Sequence, residues 1–237
     1  MKKGVVSLVL VATLLTMFSV TGCSITGSGN LVTEEMNFSG FNEIEAHNGF
    51  QLELTQSNTF SVEITADDNI WEYIDVDKDG DRLRIRLQSS KIYRSVDLRA
   101  KITMPDLYKI DLSGGSHASI NGFSSSHDLS LNLSGGSRIT GDITAGDADF
   151  DLSGGSRINL EGKVDNLDVN GSGGSHLDLE NFPVDNADIN FSGGGSATVN
   201  VDGNLDVNLS GGSHVTYIGN PTLGDIDLSG GSEVKKK

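Results

Sequence analysis

The segment DLSGGSR, residues 151–157, decides the fold of this 237-residue chain because it recurs along the sequence. A Ser-Gly-Gly motif begins at seven serines that are spaced 18 to 21 residues apart: Ser113, Ser134, Ser153, Ser172, Ser192, Ser210 and Ser229. A catalytic or phosphate-binding loop is needed once, whereas a chain that winds into coils needs a bend in every coil. A repeat period near 20 residues is therefore typical of a solenoid.

Apolar and polar residues alternate on both sides of the motif. In the first repeat Ile110 and Leu112 stand three and one positions before the serine, with Asp111 between them. This period of two predicts short strands with one buried face, two or three to a repeat, and a second turn signal such as EGKVDN, residues 161–166, separates them. The sequence thus predicts an all-β parallel β-helix, a solenoid with coils of ~19–20 residues that stack at ~4.8 Å per step.

The glycines of the motif are interpreted as structural corners. Glycine accepts positive φ and allows two backbones to pass closely. A phosphate loop would open a helix with a lysine nearby, and a nucleophile elbow would lie on a strand-to-helix turn with a base within reach. Neither pattern is present in the sequence. The corner glycines assigned in this way are Gly114, Gly115, Gly135, Gly136, Gly154, Gly155, Gly173, Gly174, Gly211 and Gly212.

The amino-terminal residues have the features of an export signal. Lys2 and Lys3 precede an apolar run, which ends in VTGC, residues 20–23, and resembles the lipobox of bacterial lipoproteins. The resemblance implies a signal peptide over 1–22, and lipidation, including a palmitate, of Cys23, the one cysteine of the chain. A transmembrane anchor is the alternative, although the run is short for a ~20-residue span. Residues 23–32 then hold the lipidated cysteine and a flexible tether.

The lipoprotein interpretation locates the chain in the cell envelope. Ser24 after the cysteine resembles the sorting signal for the outer membrane of a Gram-negative cell. The side of that membrane on which the domain lies, periplasmic or external, stays open. The implied membrane partner is reached through the lipid anchor.

The remaining chain divides into two continuous regions, 33–108 and 109–237. In the first, Ile44–Leu54 aligns apolar on apolar with Ile110–Ile120, which predicts an atypical first coil, as expected of a terminal repeat. A hairpin turn is predicted at Asp79-Gly80. The surrounding segment, residues 75–81, looks like the start of an EF-hand loop, but Arg86 occupies the twelfth position, where calcium requires a glutamate. The second region is the Ser-Gly-Gly-Ser repeat.

The charge of the chain limits its partners. The net charge is −16, and removal of residues 1–22, which hold two lysines and no acid, gives −16 − 2 = −18. Such an acidic surface repels phosphate backbones, which excludes nucleic acid, and it disfavours anionic lipid headgroups. With its one cysteine lipidated, the mature chain also has no thiol for disulfides or redox chemistry. Divalent cations and neutral or basic ligands remain open.

Two rows of in-register side chains are candidate sites. Aspartates stand four positions before the serine in five successive repeats: Asp149, Asp168, Asp188, Asp206 and Asp225. Carboxylates ~4.8 Å apart are candidate Ca²⁺ ligands. The alternative is a solvated face, since each neighbouring pair costs only about 0.8 kcal/mol in water. Histidines follow the corners at His117, His176 and His214, but ~10 to ~14 Å separates them, too far for one metal ion.

Three segments together resemble a known family. They are GFNEIEAHNGFQLELTQS (40–57), VDKDGDRLRIRL (76–87) and KITMPDLYKIDLSGGS (101–116), followed by the serial repeats. This order of elements is similar to that of the putative auto-transporter adhesin, head GIN domain family. The resemblance implies an exported, often lipid-anchored protein with a right-handed β-helix and an adhesin-like or binding role, and it transfers no catalytic residues.

The sequence therefore predicts a lipid-anchored, adhesin-like binding or structural module with a protein or glycan ligand, which is not an enzyme and has no cofactor, although Ca²⁺ stays possible. The alternatives are a polysaccharide-active β-helix enzyme and a periplasmic cation-binding or envelope-scaffolding protein. An enzyme of this fold would extend long loops to wall a cleft. The repeats here differ by only a few residues in length.

Overall fold

The computed structural model describes residues 24–89 and 91–237, and these form 21 β-strands and one short 3-10 helix. The signal peptide over 1–22 and the lipidation site Cys23 lie outside the described residues. The strands are β1 (Ser24–Thr26), β2 (Leu31–Met36), β3 (Glu43–Ala46), β4 (Gln51–Gln56), β5 (Ser61–Asp67), β6 (Ile74–Asp79), β7 (Arg82–Leu87), β8 (Ile92–Arg94), β9 (Leu98–Met104), β10 (Lys109–Leu112), β11 (His117–Ser124), β12 (Leu129–Leu133), β13 (Arg138–Thr144), β14 (Ala148–Leu152), β15 (Arg157–Gly173), β16 (His176–Gly193), β17 (Ser196–Val201), β18 (Asn204–Gly211), β19 (His214–Ile218), β20 (Thr222–Leu228) and β21 (Glu233–Lys236). The 3-10 helix spans Trp71–Tyr73.

The strands form two stacks, and each coil contributes one strand to each. Stack A holds the strands that precede the corners and runs in the order β6, β7, β3, β10, β12, β14, second half of β15, second half of β16, β18, β20. Stack B holds the strands that follow them and runs in the order β2, β5, β9, β4, β11, β13, first half of β15, first half of β16, β17, β19, β21. Both stacks turn their alternate apolar side chains into one continuous core. The predicted parallel β-helix is confirmed.

The alignment of the two chain regions is also confirmed, residue by residue. Ile44 pairs with Ile110 in stack A, and Leu54 pairs with Ile120 in stack B. Asn48 and Gly49 form the corner of this coil, both with positive φ. The first coil of the sequence thus stacks directly on the first Ser-Gly-Gly coil.

The expectation that this first coil is the terminal one is wrong. A further coil, formed by β7 and β9, lies beneath it, because β7 pairs with β3 and β9 pairs with β4. Beyond that coil the chain closes the stack with β6, β5 and β2, and the three antiparallel pairings of the large sheet lie here. We call this the capped end. Along the chain, the coil of β3 and β4 therefore comes before the coil of β7 and β9 that lies beneath it. Strand β10 then stacks on β3 from the other side.

The hairpin at Asp79-Gly80 is confirmed and forms part of the cap. Strands β6 and β7 pair with Asp79 opposite Arg82, so that Gly80 and Asp81 make the turn. The side chain of Asp75 accepts hydrogen bonds from Arg86 at 2.7 and 3.0 Å. Two acidic residues of the EF-hand-like segment, Asp75 and Asp77, are thus used in cross-strand ion pairs with Arg86 and Arg84.

The flexible tether predicted over residues 23–32 is wrong for the described part of that segment. Ser24–Thr26 is a strand that pairs in parallel with β8, and Leu31 already begins β2. Between them the carboxylate of Asp67, only 2% exposed, accepts hydrogen bonds from the backbone N–H groups of Gly29 (2.6 Å) and Asp97 (2.8 Å). The local sequence did not indicate this order, because Asp67, which binds the segment, lies 38 residues from Gly29.

The carboxyl-terminal end of the stack is built differently from the capped end. Within the described part of the chain, β20 and β21 pair only with the coil before them. No helix among residues 24–89 and 91–237 has the length and apolar character required to cross a membrane.

Candidate functional site

The Ser-Gly-Gly-Ser corners are structural, and the second serine explains the motif. Five of these serines are buried, and each donates its hydroxyl hydrogen to the carbonyl oxygen three residues earlier, at 2.6 to 3.0 Å: Ser116, Ser137, Ser156, Ser175 and Ser213. A buried hydroxyl needs such a partner. The hydroxyl groups of these serines are therefore used in hydrogen bonds within their own corners and are not available as nucleophiles.

Eight of the ten predicted corner glycines lie at the bends between the two stacks, and Gly173 and Gly211 are the last residues of β15 and β18 before the bend. Gly114 has φ +63°, and a Cβ there would come within 3.0 Å of the backbone nitrogen of Asn48 in the coil beneath. Gly155, Gly174 and Gly212 differ from the expectation, because their φ is not in the left-handed region. At Gly174 and Gly212 the backbone N–H instead donates to a glycine carbonyl of the preceding coil.

The first candidate surface, which we call the serine groove, runs along stack A beside the corners. It has a volume of about 820 Å³ and His47 lies at one end of it. One side is a row of carboxyl and amide groups, and the other is the row of first corner serines. The lining rows are Asp111, Asn132, Asp151, Asn170, Asn190 and Asn208, and Ser113, Ser134, Ser153, Ser172, Ser192 and Ser210.

The second surface, which we call the acidic groove, runs along the opposite margin of stack A. It has a volume of about 600 Å³ and an apolar floor that includes Leu129 and Leu167. Its polar lining comprises Tyr108, Asp128, Ser130, Asp147, Asp149, Asn166, Asp168, Asn186, Asp188, Asn204 and Asp206. The sequence predicted the aspartate row but not the second row, although its members also stand in register, six positions before the corner serine: Asp128, Asp147, Asn166, Asn186 and Asn204.

Four of the five predicted row aspartates are in register. Asp149, Asp168, Asp188 and Asp206 are successive cross-coil partners. Asp225 does not continue the row, because the register shifts between Leu205 and Val207. Its backbone N–H instead donates to the Asp206 carboxylate at 2.7 Å.

The row carries the electrostatic strain expected of neighbouring like charges. Burial, followed by the charges of Asp188, Asp149 and Asp151, raises the pKa of Asp168. Burial, followed by the charge of Asp151, raises the pKa of Asp149, and Lys109 partly offsets this. Among the described residues no three His, Cys, Asp or Glu side chains are grouped so that they could hold a metal ion. The structure thus supplies no ligand set for Ca²⁺, whose binding stays a prediction.

We expect Asp168→Asn to raise the melting temperature by about 2–4 °C at pH 7 and low salt, because it removes repulsion worth about 1 kcal/mol before screening. Since the folded pKa is raised, the cost of the row is absent below the ordinary pKa of 3.8 and grows as pH rises through the raised value. The difference in melting temperature between the variant and the wild type should therefore shrink from pH 7 towards pH 4. Thermal unfolding over this range, with and without millimolar calcium, measures both.

The two explanations of the row predict different effects of calcium on the melting temperature. If the row binds Ca²⁺, the cation raises the wild-type melting temperature and Asp168→Asn removes that rise. If the row is only a solvated face, calcium leaves both melting temperatures unchanged. Thr140→Ser, on the outward side of stack B, is the matched control and should change neither value.

Sequence analysis missed a cluster at the end of the acidic groove. The Nδ1 atom of His127 lies 2.8 Å from the Asp106 carboxylate and 2.9 Å from the Ser125 hydroxyl, and its ring packs on Tyr108 with centroids 4.6 Å apart. A catalytic relay places the acid and the nucleophile on different ring nitrogens. Here both contact the same nitrogen, so the cluster is not arranged as a Ser-His-Asp triad.

The comparisons with known proteins agree with this picture. The family model described as putative auto-transporter adhesin, head GIN domain matches residues 40–221. The chain belongs to this family. None of the curated proteins matches the chain.

Solved structures of similar fold extend the comparison. A putative adhesin from Bacteroides fragilis is 22% identical, with a TM-score of 0.85 over 90% of this chain and 100% of that one. A protein from Parabacteroides distasonis described as a putative lipid binding protein is 21% identical, with a TM-score of 0.75 over 90% and 99%. A putative adhesin from Parabacteroides merdae is 19% identical, with a TM-score of 0.70 over 90% and 99%. At these identities the likeness establishes the fold alone.

Proposed function

We propose that the chain is an exported, lipid-anchored module of the cell envelope that binds a protein or glycan in the manner of an adhesin and catalyses no reaction. The observation that carries this proposal is the pair of open grooves, in which hydroxyl, amide and carboxylate groups recur from coil to coil. A spacing of ~4.8 Å between equivalent groups suits an extended ligand that makes many similar contacts. Membership of an adhesin family supports the same function.

The serine groove is the better candidate contact surface. Four of its row residues are neutral amides that can both donate and accept hydrogen bonds: Asn132, Asn170, Asn190 and Asn208. A ligand with many hydroxyl groups, such as a neutral glycan, matches such donors and acceptors. A polysaccharide-active enzyme is less well supported, because the coils do not extend loops that would enclose a substrate.

The groove is tested with the purified full-length chain and a fixed panel of probes: chito-oligosaccharides, dextran and immobilised collagen. We expect Asn170→Ala/Asn190→Ala to weaken binding to a retained probe at least tenfold. Asn159→Ala/Thr198→Ala, on the outward face of stack B, is the matched control and should leave binding unchanged. Equal loss in both variants would reject the groove as the contact surface, and retention of no probe would favour the scaffold alternative.

The anchor is tested separately in the cells that express the chain. We expect the wild type to incorporate labelled palmitate and to fractionate with membranes, and Cys23→Ala to lose the label. A wild type that takes up no label and still fractionates with membranes would point to an uncleaved transmembrane anchor instead. The two tests are independent, because the groove does not include the amino-terminal segment.

A further inference from the structure

The coil formed by β20 and β21 leaves the end of the hydrophobic core uncovered. Leu223 and Leu228 are 48% and 46% exposed, although their cross-coil partners Leu205 and Leu209 are 0% and 1% exposed. Val234 is likewise only partly buried, above the buried Val215. These side chains point into the core column, and they are exposed because no coil follows them among the described residues.

The backbone at this end is also unpartnered. Within residues 24–89 and 91–237, β20 pairs only with β18 and β21 only with β19, so their outer edges have no strand beside them. Unpaired strand edges next to apolar side chains are a template for another strand. A solenoid usually protects such an end with a polar cap, as β2, β5 and β6 do at the capped end.

The charges on the open end favour pairing with a second copy. Strand β20 carries Asp225 and Asp227 and no basic residue, whereas β21 carries Lys235 and Lys236 against one acid, Glu233. If two copies meet open end to open end with β20 of each beside β21 of the other, acidic and basic edges meet twice. Cross-strand pairs of opposite charge stabilise a sheet, and like charges destabilise it.

The opposite arrangement, head to tail, is disfavoured by the same charges. Continuing the solenoid would bring β21 against Glu34 and Glu35 of β2, which is complementary, but it would also place β20 against β6, whose Asp75, Asp77 and Asp79 make it acidic as well. Only the tail-to-tail arrangement therefore makes both pairs of edges complementary. An interface that uses the same surface on both copies is closed at two, so it yields a dimer and not a filament.

We propose that the partner of the open end is a second copy of this chain, joined tail to tail through β20 and β21 as a closed dimer. This inference goes beyond the adhesin function and does not depend on it. Because Ser24 lies at the capped end, the two Ser24 residues of the dimer lie at its far ends.

The mass of residues 24–237, which hold every described strand, tests the proposal by sedimentation velocity and light scattering over a concentration series. We expect twice the monomer mass for the wild type and the monomer mass for Leu223→Lys/Leu228→Lys. Leu31→Lys/Val32→Lys is the matched control, since these residues are 45% and 39% exposed at the capped end, and it should stay dimeric. A wild type that is monomeric at every concentration overturns the proposal, as does equal dissociation of the control.

A charge exchange tests the strand pairing. We expect Asp225→Lys/Asp227→Lys, and separately Lys235→Glu/Lys236→Glu, to raise the dimer dissociation constant at least tenfold, and the four changes together to restore it. Thermal unfolding of each variant verifies that the solenoid is intact. A combined variant that dissociates as readily as the single exchanges overturns the pairing of β20 with β21.

Discussion

Gly141→Ala should prevent the solenoid from folding, with a loss of more than about 4 kcal/mol of unfolding free energy. Gly141 lies in β13 with φ +129°, and a Cβ built there would stand 1.9 Å from the carbonyl oxygen of Ile120 in the coil beneath. Ile120 is the cross-coil partner of Gly141, so this oxygen cannot move away without separating the two coils. Circular dichroism and thermal unfolding should show no native transition, or one lowered by about 10 °C or more.

Gly136→Ala is the matched control for this prediction. Gly136 also has positive φ, +83°, but a Cβ there would meet nothing within 4 Å. The control should lower the unfolding free energy by only about 1–2 kcal/mol, the cost of an alanine in the left-handed region. Equal losses in the two variants would mean that backbone strain, and not the collision between coils, makes the strand glycine necessary.

These two glycines show what the sequence could and could not reveal. The corner glycines were identifiable because Ser-Gly-Gly recurs seven times in one register. Gly141 and Gly162 were not, because each stands in a segment that looks like a second turn. The predicted turn EGKVDN instead lies inside β15, which runs unbroken from Arg157 to Gly173 and bends where its register with β16 shifts.

The parts of the fold that sequence analysis predicted follow from local periodicity. Alternation of apolar and polar residues places each side chain inside or outside, and the repeat fixes which coil lies on which. The alignment of Ile44 with Ile110 succeeded for this reason. The coil of β7 and β9 beneath β3 and β4 could not be predicted, because its corner is replaced by the longer segment that holds β8, and no repeat marks it.

The candidate site divides along the same line. The serine, asparagine and aspartate rows were visible as columns in the repeat. The structure pairs their members from one coil to the next in the same register. The second row of the acidic groove is also a column, six positions before each serine, whereas the shape of each groove depends on how the coils stack. The Asp106–Ser125–His127 cluster lies outside the repeat and joins residues about one coil apart, so no column signals it.

The core residues that directly precede the first corner serines form a column of leucines, in which two successive coils carry a glycine and a phenylalanine instead. The column reads Leu112, Leu133, Leu152, Gly171, Phe191, Leu209 and Leu228 in successive coils. A Cβ at Gly171 would lie 2.2 Å from Cε1 of the Phe191 ring. The ring thus occupies the space that a leucine at position 171 would fill.

We expect Gly171→Leu alone to lower the unfolding free energy by about 3 kcal/mol or more, because overpacking a dense core forces the backbone apart. Phe191→Leu alone should lower it by about 1–3 kcal/mol, because it leaves a cavity. The double variant rebuilds an unbroken leucine column and should lose less than Gly171→Leu, so the two changes are coupled by about 2 kcal/mol or more. Denaturant unfolding of the four proteins measures the coupling.

Additive losses would contradict this account and would mean that Gly171 is required by its backbone alone. The neighbouring corner argues against that outcome. It is the one with three glycines, residues 193–195, and a Cβ at Gly195 would lie 2.5 Å from Cδ1 of the same Phe191 ring. Two glycines on different coils are therefore kept small by one side chain. In the double variant the leucine at position 191 relieves both contacts, so Gly195→Ala should be tolerated there and not in the wild type.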